Sequence, residues 1–267
     1  MGDVIACANQ KGGVGKTTTV INLAAYLALA GQRVLVVDLD PQGNATSGLG
    51  FDRQAGASSI YPALVDPQLT RSVVQPTQIE GLSLIPSGLD LAGAEVELVG
   101  VGQRERKLAA ALAQLRDAYD FIILDCPPAV GLLTVNALTA ADAVLVPIQC
   151  EYYALEGLGQ LLATIDLVRD NLNPRLRLGG VLLTMYDART TLSSDVAAEV
   201  RRHLNGTVYE TIVPRSVRLA EAPSYGRPIA RYSPESRGAQ AYAALAQEVL
   251  QRQAGRASAG PPASVVA

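Results

Sequence analysis

The chain has 267 residues, of which 49% are hydrophobic and 18% are charged, and its formal net charge is −3. This balance is ordinary for a globular protein, and the negative net charge argues against a protein that coats nucleic acid through its overall charge. No apolar run approaches the roughly 20 residues that span a bilayer, and no basic segment followed by an apolar core indicates a secretory signal. The three widely spaced cysteines, Cys7, Cys126 and Cys150, are expected to be small buried residues rather than disulfide partners or zinc ligands.

Apolar runs alternate with helical patterns along the chain. Most of the apolar runs are continuous, which is typical of strands that are covered on both faces. The pattern predicts an α/β fold with a doubly wound, mostly parallel sheet and helices on both faces, in one domain over residues 1–253, followed by a disordered tail over 254–267. The predicted strands are Val4–Ala8, Arg33–Asp38, Leu82–Pro86, Phe121–Asp125, Ala143–Ile148, Leu178–Met185 and Thr211–Val213, and the predicted helices are Thr17–Ala30, Arg104–Ala118, Leu132–Thr139, Leu155–Asn171, Ser193–Leu204 and Gly238–Gln253.

A glycine-rich loop lies between the first predicted strand and the first predicted helix. Its glycines allow consecutive backbone N–H groups to turn inward around a phosphate, and the helix N-terminus adds a partial positive charge. Lys16 is placed to reach the β- and γ-phosphates of a nucleotide, and the Thr17 hydroxyl to hold Mg²⁺. The sequence therefore predicts a P-loop, which reads Gln10-Lys11-Gly12-Gly13-Val14-Gly15-Lys16-Thr17-Thr18.

This loop departs from the usual P-loop pattern at two positions. Gln10 stands where the pattern has glycine, and the pattern does not require Lys11. Lysine is rare in the chain, because Lys107 is the only lysine besides Lys11 and Lys16. A compact ammonium fits a tight phosphate cradle better than a guanidinium fork does. The presence of two lysines in one loop therefore indicates a role for each.

Two further strands end in aspartates at the same predicted edge of the sheet. Asp40 is placed to orient or activate a water that attacks the γ-phosphate, whereas Asp38 is better placed to hold the loop or a Mg²⁺-bound water. The alternative for both is that they only cap the following turn. The strand Phe121–Asp125 has the form of a Walker B strand, whose aspartate binds Mg²⁺, usually through water.

Taken together, residues 11–18, 38–44 and 125–128 resemble the ParA/Soj family of deviant-Walker ATPases, which partition plasmids and chromosomes. The resemblance covers roughly residues 3–252. Further segments that carry it are Leu91–Glu95, Gln149–Gly157, Leu183–Thr190 and Val213–Gly226.

The resemblance implies a slow, partner-stimulated ATPase, with ATP and Mg²⁺ as cofactors, that forms an ATP-sandwich homodimer. Lys11 would cross the interface to the partner's phosphates, Gly12 would lie where the two loops approach, and Asp40 would support hydrolysis, so that Lys11, Lys16 and Asp40 are the catalytic set. Pro214, with the neighbouring backbone, resembles a segment that packs on adenine. The implied nucleotide contacts are Lys11, Gly12, Gly13, Val14, Gly15, Lys16, Thr17, Thr18, Pro214 and Arg215, and the implied metal group is Thr17 with Asp125 and Asp38 acting through water.

The resemblance also implies that the ATP-bound dimer binds double-stranded DNA without sequence specificity. Residues 189–237 contain eight arginines and five acids, and Arg189 and Arg218 match the DNA-binding positions of the family. The alternative for both is solvated surface charge. A ParB/Spo0J-like partner would stimulate hydrolysis, and the protein would be cytoplasmic and nucleoid-associated.

Three other functions stay open on the sequence. A regulator of replication initiation would bind the initiator protein, and the sequence does not separate this role from partition. A MinD-like membrane-associated regulator would carry a C-terminal amphipathic helix with basic and bulky apolar faces, which residues 254–267 do not have, so no membrane partner is expected. A metabolic kinase would need a second substrate site, and none is evident. Because the chain begins close to its first strand, specific operator binding by an N-terminal helix-turn-helix region is not expected.

Overall fold

The computed structural model describes residues 2–52, 59–151, 154–204 and 206–259. Within these residues eight strands form a single sheet: β1 Asp3–Cys7, β2 Val34–Asp38, β3 Gln75–Pro76, β4 Leu82–Ile85, β5 Phe121–Asp125, β6 Ala143–Gln149, β7 Arg177–Tyr186 and β8 Val208–Pro214. Their order across the sheet is β3-β4-β2-β5-β1-β6-β7-β8, and every neighbouring pair is parallel except β3 with β4. The predicted doubly wound, mostly parallel sheet is confirmed.

Helices cover both faces of this sheet. They are α1 Lys16–Leu29, α2 Asn44–Gly48, α3 Tyr61–Val65, α4 Leu91–Glu97, α5 Lys107–Ala113, α6 Leu132–Ala140, α7 Ala154–Asn171, α8 Thr191–His203, α9 Val217–Glu221, α10 Ile229–Tyr232 and α11 Arg237–Ala259. Helices α5 to α8 contribute to a core on one face, and α1 and α11 contribute to a core on the other.

The alternation of side chains along β1 shows why its sequence is apolar throughout. Val4 and Ala6 belong to the core beneath α5 to α8, whereas Ile5 and Cys7 belong to the core beneath α1 and α11. Since successive side chains of a strand point to opposite faces, a strand covered on both sides must be apolar at every position. The same reasoning applies to the apolar runs of β2 and β5, all of whose residues are buried.

The sheet brings the ends of three strands to one edge. In the parallel register Asp125 of β5 pairs with Cys7 of β1 on one side and with Asp38 of β2 on the other. The loop that follows β1 therefore lies beside the residues that follow β2 and β5. The strand order also reverses at β1, which is where open α/β sheets bind ligands.

The predicted elements differ from the observed ones mainly where elements are short. Edge strand β3 and helices α2, α3, α4, α9 and α10 were not predicted. Each has two to seven residues, which is too short for a periodic apolar pattern to emerge. The only antiparallel pair of the described sheet ends in Pro76. Proline has no backbone N–H to donate, and an edge strand tolerates it because no further strand needs that donor.

Two longer helices also differ from the prediction at their ends. The helix expected over 104–118 is a 3₁₀ turn, Arg104–Arg106, followed by α5. Asn136 of α6 interrupts the helix there, because its side chain donates to the carbonyl of Arg104 at 2.8 Å and accepts from the N–H of Leu108 at 3.1 Å. Helix α11 continues through Ala259, so residues 254–259 are helical rather than part of a disordered tail.

The extension of α11 has a physical cause in its ion pairs. Arg252 pairs with Glu248 one turn earlier at 2.9 Å and stacks over the ring of Tyr209, and Arg256 pairs with Asp3 of β1 at 3.0 Å. These contacts hold the last turns of the helix against the sheet. The rest of the predicted tail, residues 260–267, lies outside the described residues. Among the helices that the structure describes, none is long and apolar enough to cross a bilayer.

Candidate active site

The P-loop connects β1 to α1 and is held from two sides. Asn9 donates its side-chain amide to the carbonyl of Pro147 at 2.7 Å and accepts the N–H of Lys11 at 2.9 Å. On the far side the hydroxyl of Thr184 on β7 donates to the carbonyl of Val14 at 2.8 Å. Gly13 and Gly15 adopt left-handed φ values of 76° and 89°, which side chains other than glycine rarely tolerate. The loop is thus fixed in a shape that only this glycine pattern allows.

The two lysines of the loop point in different directions. Lys16 is 7% exposed, and its Nζ donates to the carbonyl of Lys11 at 3.2 Å, inside the loop. The side chain of Lys11 is 42% exposed, and its Nζ pairs with Glu151 at 3.1 Å, outside the loop. The Lys16 ammonium therefore bonds within its own loop, whereas the Lys11 ammonium lies at the surface beside the loop.

Gly12 lies at the exposed tip of the loop. A Cβ added there would meet no atom of the chain within 4 Å, and its φ is not in the left-handed region. No contact within the described residues therefore requires glycine at this position, in contrast to the left-handed Gly13 and Gly15.

Asp125 at the end of β5 is a buried carboxylate without a hydrogen bond. It is 0% exposed, and neither carboxylate oxygen has a partner among the described residues. Burial, followed by the neighbouring charge of Asp38, raises its pKa well above the ordinary value, while the Lys16 ammonium opposes this shift. The ionised form of this buried carboxyl group needs a cation or ordered water, so the residues present fit a Mg²⁺ site next to Thr17.

Asp38 at the end of β2 is equally buried but has its hydrogen bonds satisfied. Its carboxylate accepts from the N–H of Thr46 at 2.8 Å, from the hydroxyl of Thr46 at 2.7 Å and from the N–H of Asp40 at 3.2 Å. Burial nevertheless raises its pKa to about 6. Of its two predicted roles, these bonds favour holding the loop that carries Asp40 over holding a metal-bound water.

Asp40 has one carboxylate oxygen available for a ligand. Its Oδ1 accepts from the N–H of Gln42 at 2.9 Å, and no described residue bonds to Oδ2. Its backbone carbonyl accepts from the hydroxyl of Ser87 at 2.7 Å. The position is fixed through the backbone while the side chain keeps an acceptor, which is the arrangement that orienting a water requires.

A cavity of about 390 Å³ lies beside the loop, at the ends of β7 and β8. Gly15 and Thr18 line it from the P-loop side, and Pro214 and Arg215 from the opposite wall. Met185, which also lines it, has an unusual left-handed φ of 50°. The size suits a purine base, because ligand pockets begin at about 300 Å³.

The two predicted DNA-binding arginines lie at the surface, and each is paired with an acid nearby in sequence. The side chain of Arg189 is 87% exposed, and its Nε and Nη2 donate to Asp187 at 2.9 and 2.7 Å. These bonds hold the pKa of Asp187 far below its ordinary range. Arg218 pairs with Glu221 at 3.0 Å. Both positions are exposed as predicted, but their charges are partly compensated.

Several residues of this site were not identified as functional from the sequence. Asn9 and Thr184 fix the P-loop, and Thr46 and Ser87 fix the loop of Asp40: the N–H of Ser87 donates to the Thr46 hydroxyl at 2.9 Å. The long-range links among them, Asn9 with Pro147, Thr184 with Val14, and Ser87 with Thr46 and Asp40, join residues that are 41 to 170 positions apart in sequence. No local sequence pattern shows these long-range links.

The fold and site define a P-loop ATPase, and comparison with known proteins agrees. A model of the AAA domain family matches residues 2–178. The crystal structure of cobyrinic acid a,c-diamide synthase from Mycobacterium smegmatis with bound ADP and magnesium superposes with a TM-score of 0.84 at 42% identity, over 96% of this chain and 97% of that one.

Sequence similarity identifies the family more narrowly. The sporulation initiation inhibitor protein Soj of Bacillus subtilis is 55% identical over 93% of this chain and 98% of its own length. The chromosome partitioning protein ParA of Myxococcus xanthus is 53% identical over 94% and 89%. Both are more similar in sequence than the synthase structure. The chain belongs to the Soj/ParA family of chromosome-partitioning ATPases, as its motifs predicted.

Proposed function

We propose that this chain is an ATP-gated DNA carrier, in which two copies pair face to face around two molecules of ATP and bind duplex DNA as the pair. The observation that carries the proposal is the split between the loop lysines. Lys16 serves its own loop, whereas the Lys11 ammonium is exposed beside it on Glu151. A second copy that faces the loop would meet this ammonium, which can neutralise phosphate charge in trans as an arginine finger does.

Within one subunit the P-loop holds the nucleotide. The backbone N–H groups from Gly12 to Thr18 surround the phosphates, with Lys16 on the β- and γ-phosphates. Bound Mg²⁺ supplies charge neutralisation on those phosphates, and Thr17 and Asp125 are the residues that would hold it, Asp125 through water. The unpartnered, buried carboxylate of Asp125 supports this assignment.

The base and the attacking water are assigned to neighbouring groups. Pro214 and Arg215 would lie against adenine in the cavity at the ends of β7 and β8. The free Oδ2 of Asp40 would accept a proton from a water directed at the γ-phosphate. Asp38 keeps that loop in place through Thr46. Slow hydrolysis then limits the lifetime of the dimer.

Pairing of two copies would bring two sets of surface arginines together. Arg189 and Arg218 of each subunit would contact DNA phosphates, so that the dimer has twice the contacts of the monomer and a much higher avidity. Such binding is independent of sequence and steeply salt-dependent, and it would place the protein on the nucleoid.

A ParB-like partner would accelerate hydrolysis and so release the DNA, and an interaction with a replication initiator would act through the same nucleotide-dependent states.

The proposal is tested by the binding of a random-sequence duplex with ATP, with ADP and without nucleotide. We expect binding with ATP only, and a loss of about 100-fold or more in Arg189→Glu/Arg218→Glu, because several phosphate contacts become repulsive. A matched control is Arg71→Glu/Arg175→Glu, which changes the net charge equally at exposed arginines outside residues 189–237. Equal binding in ADP, or equal losses in both double variants, would contradict the proposal.

The role of Asp40 is tested separately. Asp40→Ala should bind ATP and DNA but hydrolyse ATP at least about 100-fold more slowly, since a base-type contribution is typically 10²–10⁴-fold. The variant should therefore stay on DNA after wild-type protein has been released. Wild-type rates of hydrolysis and release in Asp40→Ala would show that another group orients the water.

A further inference from the structure

A second cavity, of about 370 Å³, lies apart from the nucleotide site and shares no lining residue with it. One wall is the turn 77–79, which precedes β4. The opposite wall is the segment from Gly226 to Arg231, which leads into α10. Neither the nucleotide nor the assigned DNA contacts account for this cavity.

Three side chains with uncommitted hydrogen-bond donors line it. Arg227 and Arg231 are exposed, and neither guanidinium forms an ion pair or hydrogen bond with another residue of the described chain. The side-chain amide of Gln78, on the facing turn, also has no such partner. Arg218 offers the contrast, because Glu221 compensates its charge. Among the described residues, therefore, nothing forms an ion pair with the two positive charges of the cavity, and Gln78 adds an amide donor.

The backbone on both sides of the cavity is fixed. Gly226 has a left-handed φ of 59°, and a Cβ added to it would lie 2.7 Å from the Cα of Gly50. The N–H of Ile229 donates to the buried side chain of Asn22 on α1 at 2.7 Å. On the facing turn the Thr77 hydroxyl donates to the carbonyl of Leu82 at 2.9 Å. Both walls of the cavity are therefore already in place before a ligand binds.

We propose that this cavity binds a phosphate group, and that in the ATP-bound dimer the group is a phosphodiester of the DNA backbone. Guanidinium forks match the geometry of phosphate oxygens and bind them with paired hydrogen bonds, and a nearby amide supplies a further neutral donor. The choice of DNA as the source rests on the proposed function. A free phosphate or mononucleotide presents the same chemistry, and titration with each of them separates these sources from DNA.

The decisive variant is Arg227→Gln/Arg231→Gln, which removes both charges and keeps polar side chains. Its control is Arg175→Glu, at an exposed arginine before β7 that has no ion pair among the described residues. Both changes lower the net charge by two, so a general effect of charge would appear equally in both. When either change is made in the otherwise unaltered chain, the rate of ATP hydrolysis without DNA and the mass of the protein measured with ATP should stay at the wild-type values.

Binding of a random-sequence duplex is measured by fluorescence anisotropy, with ATP and Asp40→Ala as the common background, over a series of salt concentrations. We expect the double variant to bind about 10- to 100-fold more weakly at low salt, and the slope of log K against log[salt] to fall by about one for each phosphate that the variant no longer binds. The control should stay within about twofold of the parent protein. An unchanged slope, or an equal loss in the control, would overturn the proposal.

Titration of the same proteins with inorganic phosphate and with AMP decides the source. If either ligand binds the parent protein outside the P-loop and not the double variant, while DNA binding is unchanged, the site belongs to a free phosphate and the DNA assignment is wrong. If the parent protein fails to bind duplex with ATP at any salt concentration, the proposed function itself fails. These titrations then decide whether the cavity binds phosphate at all.

Discussion

Two carboxylates at the active edge, Asp38 and Asp125, are alike in sequence context and opposite in bonding. Each ends a strand of five buried residues, and the two are direct neighbours in the parallel register. Burial raises the pKa of both. Asp38 nevertheless accepts three hydrogen bonds from the loop that comes after it, whereas Asp125 accepts none from the described residues.

The difference shows that an apolar strand ending in aspartate does not by itself define a metal ligand. The segment after the strand decides the role of the carboxylate. The chain after Asp38 returns to it through Thr46, so the oxygens of this carboxylate already accept hydrogen bonds from the loop that follows the strand. The chain after Asp125 continues into Cys126 and Pro127 without such a bond, so this carboxylate is left for a ligand. The bonding gives Asp38 a structural role and leaves Asp125 as the carboxylate that the proposed function uses.

The largest expected effect is that of Asp125→Asn on hydrolysis. We expect a loss of at least about 100-fold, because in the proposed function Asp125 helps to hold a Mg²⁺ ion, and such an ion stabilises the developing phosphate charge by several kcal/mol. The free energy of unfolding without nucleotide should be unchanged or higher, because the change removes a buried carboxylate without partners. Hydrolysis and urea unfolding are measured on the same preparation. A destabilised protein with normal hydrolysis would reverse the two assignments.

Asp38→Asn should show the opposite pattern. We expect the free energy of unfolding to fall by about 2–4 kcal/mol, because the amide turns a donor toward the N–H groups and hydroxyl that the carboxylate accepted. Nucleotide affinity at a temperature where the variant is folded should change much less than in Asp125→Asn. Normal stability combined with a loss of Mg²⁺-dependent nucleotide binding would show that Asp38 is also a metal group.

Thr46→Val removes the hydroxyl that links Asp38 to Ser87 while keeping the shape of the side chain. The expected loss is about 1–3 kcal/mol in the free energy of unfolding, since the N–H of Ser87 is left buried without its acceptor. Thr46→Ser is the matched control, because it keeps the hydroxyl and should recover most of the stability. Equal stabilities of the valine and serine variants would refute the hydrogen-bond link.

The smallest expected effect is that of Ser87→Ala, which removes one bond to the backbone carbonyl of Asp40. We expect about 0.5–1.5 kcal/mol of stability to be lost. Since the bond helps to fix the Asp40 loop, kcat should fall severalfold with little change in KM. A change in KM alone would place Ser87 in nucleotide binding rather than in the support of Asp40.

The sequence predicted that the segments of the candidate site meet at one edge of the sheet because its signals are local. The P-loop, the Asp40 loop and the strand before Asp125 are each contiguous, and parallel topology necessarily brings the ends of their strands together. It could not predict the residues that hold these loops, since Thr184 and Val14, for example, are 170 residues apart. The short helices were missed because tertiary contacts rather than periodicity define them.

The arginine-rich segment, residues 189–237, shows a second limit of prediction from sequence. Counting charges in residues 189–237 predicted a basic surface, but the structure compensates Arg189 and Arg218 through Asp187 and Glu221 and leaves Arg227 and Arg231 without ion pairs among the described residues. The compensating acids lie two and three residues away in sequence. Whether such neighbours pair depends on the backbone, which composition does not give.

ATP is proposed to join two copies of the chain through the exposed side of the P-loop, and the mass of the protein in solution distinguishes such a pair from a single chain. With ATP and Mg²⁺, Asp40→Ala should have about twice the chain mass of 28.0 kDa. Asp40→Ala/Gly12→Val should bind ATP and remain at the chain mass, because a Cβ at Gly12 has no atom of the described residues of its own subunit within 4 Å, whereas the valine side chain would meet a facing loop. A single-chain mass for the first protein, or a doubled mass for the second, would contradict the claim.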